Sequence, residues 1–146
     1  MNPATWLELQ RIVRFGETDG AGVVHFQIIF SWCHQAWEES LRRFGIRAEK
    51  IFPTNRIRLD KPAISLPVVH CEADFLHPLH VGDNLTVMLR PKRLNLSCFE
   101  VRSKVIFNDQ TAALGLIRHL AISSASRQRC LLPDSIDSWL DASSSG

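Results

Sequence analysis

Between positions 26 and 44 the apolar residues Phe26, Phe30, Cys33, Trp37, Leu41 and Phe44 recur at helical spacing, and Ile29, Trp32 and Ala36 widen the stripe. A helix this apolar must be covered over much of its circumference. Its last turns are wetter, because Glu38–Arg42 and Glu39–Arg43 form i,i+4 pairs, each worth a few tenths of a kcal/mol. Gly45 follows as the stop.

The flanking segments read as strands. Residues 7–15 form a first one, with Leu9, Ile12, Val13 and Phe15 apolar. Residues 46–66, with Pro53 and Pro62, are irregular. A strand spans 68–75, and Pro78, Gly82, Asp83 and Asn84 make a turn region. Residues 85–89 alternate as a strand, with Pro91 placed at a bulge or an edge. Over 99–107, Phe99, Val101, Val105 and Phe107 face one way and Glu100, Arg102 and Lys104 the other, as in a half-buried strand. Asn108-Asp109-Gln110 turns into a partner strand at 111–122. Residues 123–146 form a tail with a short helix near 134–140, Pro133 at its start, and a flexible serine-rich end. One buried helix followed by antiparallel strands is an α+β pattern, here a single domain over 1–146 with its core at about 7–122.

With 146 residues, 45% hydrophobic and 22% charged, the chain buries a core without staples. A net charge of +2, with scattered basic residues, does not suit nucleic-acid binding. Residues 1–9 lack a signal peptide's basic region and apolar run, and residues 23–30 are too short to span a membrane. Cys33, Cys71, Cys98 and Cys130 include no C-x-x-C pair and read as reduced thiols of a cytosolic protein. His70, Cys71, Asp74, His77 and His80 look metal-like, but His70 and Cys71 are strand neighbours on opposite faces, so no metal is expected.

The loop at 16–24 holds three glycines and Asp19, between a strand and the helix. Asp19 has two readings. It is an Asp-Gly turn residue bonded to its own backbone, or it is an acid held beside the amino end of a helix, where backbone N–H groups receive a developing negative charge.

The stretch Phe15-Gly16-Glu17-Thr18-Asp19-Gly20-Ala21-Gly22-Val23-Val24-His25-Phe26 resembles the active-site loop of the 4-hydroxybenzoyl-CoA thioesterase family. Phe15, Gly16, Asp19, Ala21, Gly22, Val24, His25 and Phe26 fill the motif's places. A second block matches at Pro67, Val68, Val69, Phe75, Pro78, Gly82 and Asp83, so the resemblance covers roughly residues 7–122. It implies a hotdog fold, an antiparallel sheet wrapped around one long helix. It also implies hydrolysis of an acyl-CoA, most like the branch that acts on 1,4-dihydroxy-2-naphthoyl-CoA in phylloquinone synthesis.

By the same resemblance Asp19 is the catalytic carboxylate. Phe26 supplies a backbone N–H as oxyanion donor, and Gly22 and His25 lie at the substrate. CoA thiolate leaves readily, its thiol pKa being like that of cysteine, roughly 8.5, so one carboxylate with an oxyanion site suffices. No cofactor is implied, CoA being part of the substrate, and subunits pair into a homo-oligomer. Arg90, Lys92 and Arg93 are candidate seats for the CoA phosphates, or else a solvated face. Glu17 reads as a solvated side chain, with a minor electrostatic role as the alternative, and His34 as structural. Phe26, Phe30, Trp32 and Trp37 read first as core, with some lining an aryl pocket. A thioesterase for short- or medium-chain acyl-CoA or acyl-carrier-protein thioesters, a dehydratase pairing His25 with Glu38, and a non-catalytic acyl-carrier-binding or scaffold protein of the same fold are the rival readings.

Overall fold

The computed structural model describes residues 2–52 and 62–144. A short helix, α1 (Ala4–Leu7), leads into β1 (Glu8–Ile12), and the long helix α2 spans Ile28–Phe44. The ribbon strand β2 (Ile64–Ser65) precedes β3 (Val68–Phe75), β4 (Asn84–Asn95), β5 (Cys98–Phe107) and β6 (Gln110–Leu120). The chain closes with β7 (Ile122–Ser123), paired to β2, and α3 (Asp134–Ser144). The main sheet runs β1-β4-β5-β6-β3, every neighbouring pair antiparallel. Helix α2 lies across it, touching β1, β4, β6 and β3.

Helix α2 buries one face. Ile29, Trp32, Cys33, Ala36, Trp37, Ser40 and Leu41 are buried, a period of three and four that matches the helical repeat. The cover is narrower than the apolar stripe, since Phe30 is half-buried and Phe26 is 71% exposed. Gly115 of β6 makes the close approach possible: a Cβ there would lie 2.6 Å from Cys33 Sγ. At the far end Gly45, at φ 107°, ends the helix in the left-handed conformation. Only one of the two expected surface pairs forms as read. Glu39 takes both Arg42 and Arg43, while Glu38 faces His34 at 3.3 Å.

Several boundaries differ from the sequence reading. Strand β1 stops at Ile12 because residues 15–17 coil into a 3-10 turn. Strand β4 runs on through Pro91 to Asn95. Its β1 partners end at Met88, so Pro91 sits where β4 has lost its neighbour on that side and its missing N–H matters least. The β5–β6 turn is made by Asn108 and Asp109, both at positive φ (50° and 61°), as a two-residue hairpin requires. Helix α3 is longer than expected, and Ile136, Trp139 and Leu140 belong to the core. Of the irregular stretch at 46–66, residues 53–61, and Pro53 with them, lie outside the described residues, as does the very end of the serine-rich tail.

His119 is an unusual member of the core. It is 1% exposed and stacked between Trp37 (4.3 Å) and Phe99 (5.1 Å). Its Nδ1 donates to the Leu66 carbonyl at 3.0 Å. Burial pushes this imidazole down to about 4, and the nearby His34 acts the same way against that hydrogen bond. The unfolded chain takes up the proton near pH 6.5 and the folded chain only near 4. The neutral imidazole's contribution is therefore complete above about 6.5 and is lost as pH falls towards 4, by up to about 3 kcal/mol. Urea unfolding at pH 7.5 and 4.5 will show this loss in the wild type and a smaller one in His119→Phe.

Candidate active site

The loop carrying Asp19 is closed on itself. Asp19 N–H donates to Val23 O at 2.8 Å, Gly22 N–H to Asp19 O at 3.0 Å, and Thr18 bridges Val24. Gly22 holds φ +83°, which a side chain would strain. The loop is pinned from outside by Val24 N–H on Leu79 O at 2.9 Å and by the bridge from Val23 to His80, just past the end of β3. The turn reading of Asp19 is visible in its hydrogen bonds. Its Oδ1 accepts Ala21 N–H at 2.7 Å and Val23 N–H at 3.4 Å, as in an Asp turn. Its Oδ2 takes no hydrogen bond among the described residues, and the side chain is half-buried.

The chain then enters α2. His25 N–H donates to Glu17 O at 3.1 Å and Ile28 N–H to His25 O at 3.1 Å. Phe26 and Gln27 N–H make no hydrogen bond among the described residues. Gln27 is the N-cap of α2 and Phe26 the residue before it, so both amides lie at the helix's amino end, where the partial positive charge gathers. A free carboxylate oxygen and unpartnered amides therefore lie a few residues apart on one loop–helix junction. Such a junction suits attack on a carbonyl whose oxygen becomes negative.

Glu17 departs from the expected solvated side chain. Its Oε2 accepts from Arg11 Nη2 at 2.6 Å and Trp32 Nε1 at 2.8 Å, and its Oε1 from Arg14 N–H at 2.9 Å. Arg11 lies over the Trp32 ring at 4.8 Å and donates to Gln35. Sequence spacing gave no sign of this, since Arg11 and Trp32 flank the loop from different elements.

The basic trio divides. Strand alternation turns Arg90 and Lys92 to the exposed outer face, with Arg102 opposite Arg90. Arg93 points the other way and is held by Asp137 (3.1 Å) and Asp141 (2.9 Å) of α3. That corrects Arg93 as a phosphate seat: its charge is already matched. Glu38 lies ten residues into α2, about 15 Å along the axis from its start, so it does not meet His25. Among the described residues no three His, Cys, Asp or Glu side chains gather as metal ligands, and all four cysteines are free.

A cavity of about 220 Å³ lies elsewhere, lined by His34, Trp37, Phe52, Leu66, Pro67 and Arg127 among others. His34 thus faces a cavity as well as Glu38. Among the described residues the buried Nε1 of Trp37 has no hydrogen-bond partner. Leu66 and Pro67 immediately precede β3, whereas the Asp19 loop is pinned just beyond its end, so cavity and carboxylate stand at opposite ends of that strand.

An antiparallel sheet laid around one long helix, with an acid loop at the helix's amino end, is the hotdog architecture in the form thioester hydrolases use. The model of the thioesterase-like superfamily matches residues 13–140, and the chain belongs to that superfamily. It is 60% identical over 141 residues to a 1,4-dihydroxy-2-naphthoyl-CoA hydrolase of Synechococcus sp. (strain CC9311), covering 97% of this chain and 93% of that one. A protein of the same description from Prochlorococcus marinus (strain MIT 9303) is 52% identical over 146 residues, covering 100% and 97%. Among solved structures, one from Prochlorococcus marinus strain MIT 9313 superposes with a TM-score of 0.95 at 52% identity, covering 98% and 99%. A 1,4-dihydroxy-2-naphthoyl-CoA thioesterase from Synechocystis superposes with a TM-score of 0.83 at 27% identity, covering 92% and 95%.

Proposed function

We propose that this chain hydrolyses 1,4-dihydroxy-2-naphthoyl-CoA to 1,4-dihydroxy-2-naphthoate and CoA in the cytosol, a step of phylloquinone synthesis, with Asp19 as the catalytic carboxylate. The observation that carries the reading is the junction itself: among the described residues Asp19 Oδ2 and, seven positions on at the amino end of α2, the Phe26 amide are both left without a hydrogen bond, in a chain 60% identical to a hydrolase of that name. An ionised Asp19 serves either as nucleophile or as base towards water. The Phe26 N–H receives the carbonyl oxygen, Gly22 gives the loop its turn, and His25 contacts the substrate. CoA thiolate leaves without a strong acid, and no cofactor takes part. Arg90 and Lys92, exposed on the outer face, are the basic residues left to meet the CoA phosphates.

The working unit in this reading is a homo-oligomer. Among the described residues strand β3 pairs only with β6, leaves its other edge open, and exposes Val68, Val69 and Phe75. Such an edge invites a second copy. Antiparallel pairing of two β3 edges, each about 26 Å long, sets the start of one strand against the end of the other. The Trp37 cavity of one copy then comes beside the Asp19 loop of the other, giving the naphthoyl rings an apolar seat and a free N–H. Light scattering at micromolar concentration is expected to give at least a dimer mass, and a monomer mass removes the shared site.

The decisive measurement compares kcat/KM for dihydroxynaphthoyl-CoA, benzoyl-CoA and palmitoyl-CoA. The naphthoyl substrate is expected to lead. Palmitoyl-CoA leading overturns the aromatic reading and leaves a thioesterase, whereas hydrolysis of an acyl-carrier thioester alone overturns the CoA assignment.

A further inference from the structure

We infer that Glu17 is a positioning residue for the reaction, holding the Asp19 loop in register with the amino end of α2. The inference rests on the proposed role of Asp19.

The junction has a mechanical problem. Residues 18–24 close on themselves, and their outside anchors, Leu79 and His80, lie on the β3–β4 connection. Neither anchor fixes the loop against α2, where the Phe26 amide sits. Glu17 does so from both its ends. Its carbonyl accepts His25 N–H at 3.1 Å, across the neck of the loop. Its carboxylate accepts from β1 through Arg11 (2.6 Å), from α2 through Trp32 (2.8 Å) and from Arg14 N–H (2.9 Å). Trp32 is 1% exposed and cannot move without disturbing the core. Arg11 is held in turn over the Trp32 ring and by Gln35. Glu17 is therefore the side chain through which strand, helix and loop share one point, two residues before Asp19.

The same contacts argue against a chemical role for Glu17. Both carboxylate oxygens are occupied by donors, one of them an arginine, so neither is left to attack a carbonyl or take a proton. Its contribution is geometric, and geometry at a reacting pair is steep: a misplacement of about 1 Å costs up to ~100-fold in rate.

The test measures kcat and KM separately for Glu17→Ala and Glu17→Gln, beside hydrogen exchange of the loop amides. Glutamine keeps one acceptor for Arg11 and Trp32 but sets an amide against the Arg14 N–H or loses that contact. The expected kcat losses are about 100-fold for alanine and about tenfold for glutamine, a partial rescue, with KM within about threefold of wild type. The amides of Gly22, Val24 and His25 are expected to lose protection in both variants. Ser40→Ala is the control, because it removes the buried Trp139 Nε1–Ser40 Oγ bond (3.0 Å) on the same helix and so destabilises without touching the loop. Its kcat is expected to stay at the wild-type level. The inference is overturned if the Glu17 variants keep kcat within about threefold of wild type, if their loss appears in KM, or if Ser40→Ala loses kcat as they do. Should the wild type hydrolyse no thioester, the proposed function fails, and exchange protection still decides whether Glu17 holds the loop.

Discussion

Asp19→Asn is expected to lower kcat by at least ~100-fold while leaving the melting temperature within a few degrees of wild type. The two halves of this result rest on different oxygens. Oδ1 accepts from Ala21 and Val23 N–H, and an asparagine carbonyl accepts both in the same place. The turn that shapes residues 18–24 therefore survives. Oδ2 takes no hydrogen bond among the described residues and is the oxygen the proposed reaction uses, and an amide nitrogen there neither attacks a thioester carbonyl nor takes a proton from water. Loss of a positioned acid–base group removes ~100-fold or more, about 2.7 kcal/mol of transition-state stabilisation. Steady-state kinetics on dihydroxynaphthoyl-CoA with a thermal melt checks both halves. Turnover near the wild-type rate in a folded variant would remove Asp19 from the mechanism.

Trp139→Ala is expected to destabilise the protein by about 3–5 kcal/mol, as large-to-small changes at buried aromatic sites do. Trp139 is fully buried, packs edge-on against Phe99 at 6.3 Å and donates to Ser40 of α2. Its removal opens a void between α3, α2 and the sheet and strands the Ser40 hydroxyl. Arg93→Gln, which breaks the neighbouring ion pairs to Asp137 and Asp141, is expected to cost under about 1 kcal/mol, since those groups are partly solvated. Urea unfolding of the two variants separates them. Equal, small losses would mean that α3 is an appendage, as the sequence reading of a tail had it.

The long helix, the strands at 68–75 and 99–107, and the hairpin at Asn108 and Asp109 were legible because each obeys a local rule: a period, an alternation, or a backbone conformation that few residues tolerate. The Asp19 loop was legible through its motif. Glu17 was not. Nothing within four residues of it announces Arg11 and Trp32 as its partners, because strand, loop and helix had first to fold together. Arg93 failed for the same reason, its charge being met by α3, more than forty residues along the chain.

By itself, then, the order of residues determined which segments are helical or extended and placed an acid in a glycine-bounded loop ahead of an apolar helix, since these depend on neighbours a few positions apart. Only the tertiary structure decided which oxygen of Asp19 makes the turn's hydrogen bonds, which donors surround Glu17, that Arg93 is paired to α3, and that this helix is core. Those depend on which side chains meet across the sheet, and hydrogen bonds and ion pairs reach only about 3–4 Å, a contact that packing makes and sequence distance does not reveal.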